Sequence, residues 1–179
     1  MKKLDLGCGN SKKEGYIGVD SLSLKNVDII HNLDRYPYPF DENEIDEIIM
    51  DNVLEHLSDP VKVLEEIYRI SKNGANIIIS VPYFRSVYAY IDPTHRNFFS
   101  SFWFDYFDPT NIYFEKYAYA KVKFRVKKIE FDKEFKKERI RFWHRIMIYI
   151  AEKHRVFYEM RLSHLFPLNS ITFELRVIK

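Results

Sequence analysis

The chain has 179 residues, 46% of them apolar, enough for one domain with a core and too few for two ordinary ones. No apolar run approaches the roughly 18 residues of a membrane span, and Met1-Lys2-Lys3 leads straight into Leu4-Asp5-Leu6, so a cytoplasmic protein without a signal peptide is expected. The single cysteine, Cys8, excludes an internal disulfide framework and a cysteine-rich zinc site, and the net charge of +2 conceals a division: residues 1–82 carry 9 Lys/Arg against 15 Asp/Glu, residues 83–179 carry 19 against 11.

The first part alternates strand-like and helix-like signals, the pattern of an α/β domain with a mainly parallel sheet. Lys3 to Leu6 reads as a first strand ending in Gly7-Cys8-Gly9. The six residues from Asn10 to Gly15 are too few and too polar for a crossover helix, so that helix is expected to be reduced or absent. Tyr16 to Asp20 and Val27 to Ile30 read as the second and third strands, Pro37 to Glu44 as a surface loop, and Asp46 to Met50 as the fourth strand, ending at Asp51-Asn52. A helix follows, with Asp59 as N-cap, Pro60 at its first position, apolar Val61, Leu64, Ile67 and Tyr68, and Gly74 just past its end. Asn76 to Val81 is β-branched almost throughout and reads as a strand buried on both faces.

Beyond Pro82 the composition changes. Residues 83–118 are aromatic and irregular and read as an insert, with Ser100 capping a short helix through Phe107. Lys121 to Phe131 alternates as a strand with one wet face. From Lys136 to Lys153, Ile140, Trp143, Met147 and Ile150 recur at helical spacing opposite Lys137, Arg141, His144 and Arg145, an amphipathic helix. Ile171 to Ile178 closes the chain as a last strand. Residues 1–82 and 83–179 are expected to form two halves of a single domain.

All five glycines lie in the first part, four of them between Gly7 and Gly18, and such a turn after a first strand lets backbone approach a ligand closely. A dinucleotide fingerprint would need a third glycine where Lys12 stands, room for a helix, and an acidic residue later than Asp20. No Gly-Lys-Ser/Thr sequence follows, which excludes a phosphate loop.

Asp5-Leu6-Gly7-Cys8-Gly9 resembles the first motif of class I S-adenosylmethionine-dependent methyltransferases. Asp20 is similar to the acidic residue that this family sets against the ribose hydroxyls, Asn32-Leu33 to its adenine-contacting position, and Asp46 to Leu57 (DEIIMDNVLEHL) to its fourth-strand motif, with Asp51 at the strand end. The resemblance implies a Rossmann-like methyltransferase sheet, mainly parallel with an antiparallel last strand, in which residues 1–82 are the cofactor half, residues 83–179 the acceptor half and the insert 83–118 a cap on the acceptor site, with S-adenosylmethionine held by Asp5, Leu6, Gly7, Cys8, Gly9, Asp20, Asn32, Leu33 and Asp51. Asp92 to Phe99 resembles a segment of small members thought to act on sugars or glycoconjugates, which implies a small-molecule or glycan acceptor methylated at oxygen. Ser11 stands where the family's third glycine is usual.

A hydroxyl acceptor needs a base, and His95 is the candidate, with Asp92 three residues earlier to orient it. The competing reading makes Asp92-Pro93-Thr94 a simple turn and His95 a surface residue. His56 reads as a packed histidine at a helix start and Cys8 as a small residue packed in its turn. Displacement at a sulfonium needs no metal, and His144, His154 and His164 share no helix face, so no metal is expected. The 15 Lys/Arg of residues 116–161 read as solvated faces, as a site for an anionic acceptor, or as a peripheral membrane contact through helix 136–153; nucleic acid is not expected as a partner. A cofactor-binding module without turnover is the alternative function.

Overall fold

Short β-rich segments separated by turns place seven strands in one sheet. The computed structural model describes residues 1–117, 121–133 and 142–179. The strands are β1 (Lys3–Leu6), β2 (Ile17–Asp20), β3 (Ile29–Ile30), β4 (Ile45–Asp51), β5 (Ser71–Pro82), β6 (Phe124–Phe131) and β7 (Ser170–Val177), in the order β3-β2-β1-β4-β5-β7-β6. The first five pair in parallel, and β7 pairs antiparallel to both β5 and β6. The expected antiparallel last strand is therefore present, wedged between β5 and β6. Residues 7–16 make turns and no helix, so β1 and β2 lie side by side without a crossover helix.

Helix α1 (Pro60–Ile70) starts as its sequence dictates: Asp59 Oδ1 accepts from the backbone N–H groups of Val61 and Lys62, and Pro60 fills the first turn. Its Val63, Leu64, Ile67 and Ile70 are buried. Gly74 does not end this helix. The helix stops at Ile70, and Gly74 (φ +78°) lies inside β5, where the four residues between Ser71 and Asn76 lie opposite the single residue between Ile45 and Glu47 on β4. The positive φ serves a bulge.

The burial of β5 also differs from the two-faced expectation. Ala75, Ile77, Ile79 and Val81 are buried while Asn76, Ile78 and Ser80 are only half-buried. The register extends this alternation across the sheet. One face presents Leu4, Ile48, Ile77 and Leu175, then Leu6, Met50, Ile79 and Phe173, all buried in the apolar core. The other presents Lys3, Glu47, Asn76, Arg176 and Arg125, then Asp5, Ile49, Ile78, Glu174 and Lys128. Helix α1 and the aromatic segment around Phe104, whose ring lies 4.6 Å from that of Phe173, belong to the core on the apolar face. On the polar face the 10–16 loop contributes Tyr16, hydrogen-bonded to Glu47, and Lys13. Apart from Ile49 and Ile78, the strand residues named on that side are polar or charged, and no helix lies between β1 and β2 to cover them.

In the insert, α2 (Tyr88–Ile91), a 3-10 turn at Trp103–Phe107 and α3 (Ile112–Tyr117) follow one another, and Ser100 Oγ accepts from Phe102 N–H at 3.2 Å ahead of the expected short helix. Helix α4 is described over Phe142–Lys153; Lys136 to Arg141, including Ile140, lie outside the described residues. Its buried side is not the expected stripe. Trp143 is 70% exposed, whereas Ile148 and Ala151 are buried and Met147 and Ile150 pack on the core. His144 turns inward because its Nε2 lies 2.7 Å from Asp132 Oδ2, a fully buried carboxylate that also accepts from the Asn169 and Ser170 N–H groups.

Candidate active site

The glycine turn is built by two constraints. Gly7 has φ +73°, and a Cβ there would lie 2.4 Å from a Val53 methyl, so no other residue fits between β1 and the turn after β4. Two residues on, the Gly9 N–H donates to Asp20 Oδ2 at 2.9 Å, while Asp20 Oδ1 accepts from Leu22 N–H at 3.0 Å. Asp20 thus ties the β1 turn to the end of β2, with lone pairs left on both oxygens. Asp5, 5% exposed, accepts the Lys13 N–H at 2.8 Å; burial raises its carboxyl pKa, an effect reduced by that hydrogen bond and by the Lys13 and Lys12 charges.

A cleft of about 880 Å³ opens over the C-terminal ends of β1, β4 and β5 and onto the polar face, a size suited to a nucleoside-containing cofactor together with an acceptor. Of the residues expected from sequence, Asp5, Gly7, Cys8, Asp51, Asp92 and His95 line it. Gly9, Asp20, Asn32, Leu6 and Leu33 lie outside its lining. Leu6 and Leu33 are core residues, 0% and 5% exposed, so the Leu33 side chain is not available to an adenine; exposed Asn32 accepts the Asp34 N–H. Cys8 is packed in the turn as expected, its thiol pushed up by burial and by the neighbouring Asp5, Asp20 and Asp28.

Two short segments meet at the far wall. The 3-10 turn Leu54–His56 follows β4, and the turn at residues 92–97 is laced onto it: Arg96 and Asn97 N–H groups both donate to Glu55 O, at 2.8 and 3.1 Å, and Asn97 Nδ2 donates to Leu57 O at 2.6 Å. This lacing buries the Glu55 side chain. The residue is 1% exposed, and neither carboxylate oxygen has a hydrogen-bond partner. Burial pushes its pKa up to about 7, with the Asp51 and Asp92 charges adding to the shift. His95 Nε2 faces it at 4.0 Å, and the His56 and His95 rings meet edge-on with centroids 4.6 Å apart. Burial, and the proximity of His95, lower the His56 pKa.

Asp92 does not orient His95. The His95 side chain is held by Nδ1, 3.1 Å from Ala89 O, an acceptor that requires the proton on Nδ1. Asp92 Oδ1 accepts from both the N–H and the hydroxyl of Thr94, and Thr94 Oγ1 lies 2.8 Å from His56 Nδ1, so the Asp92 chain ends at the other histidine. These hydrogen bonds hold the Asp92 carboxyl below the usual range. His56, expected as a packing residue, lines the cleft. Glu55, Lys133, Asn169, Ser170 and Thr172 line it without having been singled out in the sequence; Glu55 stands within the quoted Leu-Glu-His-Leu run, and the other four come from the acceptor half.

Comparison with known proteins places these features. Residues 21–79, about a third of the chain, match the model of a methyltransferase domain, a span that begins one residue after Asp20 and includes Glu55. No curated protein matches in sequence. Among solved structures, an S-adenosylmethionine-dependent methyltransferase from Archaeoglobus fulgidus is 22% identical, with 98% of this chain and 85% of that one covered and a TM-score of 0.58. One from Aquifex aeolicus is 16% identical, covering 99% and 82% with a TM-score of 0.54. The cyclase SpnF is 15% identical, covering 99% and 74% with a TM-score of 0.57. The chain has the Rossmann-like methyltransferase fold. The domain match and this fold together support S-adenosylmethionine as the cofactor. The cyclase shows that the reaction must be argued from the site and not from the fold.

Proposed function

We propose that the protein methylates a hydroxyl group of a small-molecule or glycan acceptor, using S-adenosylmethionine. The carrying observation is Glu55, a buried carboxylate with no hydrogen-bond donor, set against the free Nε2 of His95 at the cleft wall. When bound, the cofactor would supply an electrophilic methyl group to the acceptor oxygen and leave as a neutral thioether. Asp20 would accept the ribose hydroxyls and Asp5 the methionyl ammonium. The Gly7 turn admits the cofactor close to backbone. His95 takes the hydroxyl proton on Nε2, and Glu55 stabilises the imidazolium so formed. Holding the two reacting atoms in line supplies the larger share of rate, about 7–11 kcal/mol in well-oriented systems.

Lys133 on the rim supports an anionic acceptor, and Phe142 and Trp143, 69% and 70% exposed, support a peripheral membrane contact through α4. The absence of a helix in residues 7–16 and Ser11 in the turn favour the second reading, a module that binds the cofactor without turnover. Incubating the protein with methyl-labelled cofactor and a panel of sugars, nucleotide-linked sugars and phenols tests the two. Labelled product that disappears in Glu55→Gln supports transfer; tight cofactor binding with no product from any acceptor supports the module.

A further inference from the structure

We propose that Glu55, His56 and His95 form a binding site for one divalent transition-metal ion, open toward the acceptor side of the cleft. Each residue offers one ligand atom, and the three atoms lie within 4.8 Å of one another. In a tetrahedral zinc site, with bonds of about 2.0–2.1 Å, donor atoms stand about 3.3 Å apart, so the set needs to close by about 1.5 Å at its widest. Rotation of the Glu55 side chain, whose oxygens have no hydrogen-bond partner, would supply that closure.

The surroundings prepare each ligand. His95 Nδ1 donates to Ala89 O, which leaves the Nε2 lone pair directed toward Glu55. The Thr94 hydroxyl gives its proton to Asp92 Oδ1, so Thr94 Oγ1 accepts from His56 Nδ1, which leaves the lone pair on His56 Nε2. Histidines that hold metals are oriented in this way, by an acceptor on the other ring nitrogen. Glu55, 1% exposed, carries two unpartnered oxygens, and Oε1 lies 4.0 Å from His95 Nε2. A buried carboxylate without a donor carries a desolvation cost that a cation offsets directly. Backbone hydrogen bonds from Arg96 and Asn97 to Glu55 O hold the two turns in register, so the ligands come from a braced wall.

Two imidazoles and one carboxylate suit zinc and its first-row neighbours over magnesium or calcium, which favour oxygen donors. Three protein ligands leave a position facing the cleft, as open metal sites do. The site's binding of metal stands on the geometry alone; its part in the reaction rests on the hydroxyl-methylation reading. There, an acceptor hydroxyl on the open position would be acidified by the ion, its proton passing to solvent at the cleft mouth, and His95 would serve as ligand in place of base. This differs from the metal-free expectation, which considered His144, His154 and His164.

The test uses the full chain stripped of metal with a chelator and titrated with Co²⁺, Zn²⁺ and Mg²⁺ without cofactor or acceptor. The expected result is one Co²⁺ per chain with visible ligand-field absorption, displaced by Zn²⁺ and not by equimolar Mg²⁺. His56→Ala and His95→Ala should each weaken binding at least tenfold, and Thr94→Val about tenfold through the loss of orientation. His154→Ala and His164→Ala, both at exposed positions, should bind as the parent does. No Co²⁺ binding, binding unchanged in the His56 and His95 variants, or Mg²⁺ preferred over Zn²⁺ would overturn the site. Should an alanine variant lose its circular dichroism spectrum, Glu55→Gln and His56→Gln take its place. Metal binding that survives while no acceptor is methylated would sink the methylation reading and leave the site standing.

Discussion

His95 Nε2 stands 4.0 Å from Glu55 Oε1, across a contact that joins the turn after β4 to the insert after β5. Forty residues separate the two in sequence, and the hydrogen bonds from Arg96 and Asn97 to Glu55 O hold them together. On the proposed function, chemistry and folding share one pair of turns.

Glu55→Gln keeps the side-chain shape and removes the charge. Turnover should fall about 10²-fold or more while the melting transition stays in place, and His95→Gln should do the same. Since the two act as a unit, the double variant should be scarcely slower than either single one. Rates of S-adenosylhomocysteine formation decide it, and additive losses would separate the pair.

Asp20→Ala should lose S-adenosylhomocysteine affinity by at least about tenfold, since two charge-assisted hydrogen bonds to a ribose diol disappear along with the anchor of the Gly9 N–H. Asp20→Asn, which retains an acceptor for Gly9, should fall between. Calorimetry with product measures both, and unchanged affinity in the alanine variant would dismiss the ribose role.

Gly7→Ala should destabilise the fold by about 2–3 kcal/mol, from a methyl forced against Val53 and from a backbone held at positive φ. Val53→Ala relieves only the first of these. The double variant should recover part of the loss in urea denaturation, and full recovery would mean that φ costs nothing there.

Glu159 predicts a pH dependence away from the cleft. Burial raises its carboxyl above the ordinary value, against the hydrogen bond from Ser101 N–H and the nearby Arg155 and Arg85 charges. The folded state then binds more protons than the unfolded one between the unfolded and folded pKa values. Stability is fully present below the unfolded value and is lost as pH rises through the folded one. Glu159→Gln, which keeps an oxygen for Ser101, should flatten that decline and be the more stable form at pH 8; denaturant midpoints at pH 4 and pH 8 measure it.

Much of the frame could be read from local signals. Asp59-Pro60 marks the start of α1 because a cap and a first-turn proline act within four residues, and the Gly7 turn announces a close approach by its composition. What sequence concealed depends on partners far along the chain. Nothing local marks Glu55 within the Leu-Glu-His-Leu run; its burial comes from residues 92–97, about forty positions on. Asp92 and His95 are three apart, yet Ala89 O and Thr94 Oγ1 send their side chains to different destinations. On α4, periodicity placed Trp143 inside, but buried Asp132 pulls His144 inward and turns the tryptophan to water. The β-branched run of β5 signalled a strand correctly and its burial incorrectly, since Asn76, Ile78 and Ser80 are only half-buried on the face where residues 7–16 form turns and no covering helix.

The polar face of the sheet has a thermodynamic consequence. Asp5, Ile49, Ile78, Ser80 and Thr172 reach the cleft from strands rather than from a covering layer of helices, so a molecule seated there does part of the packing that such a layer would do. Cofactor and folded chain should then be tightly linked: each tenfold rise of free ligand above its dissociation constant adds about 1.4 kcal/mol to stability. The strand amides beneath the ligand would exchange with solvent more slowly in step with its occupancy.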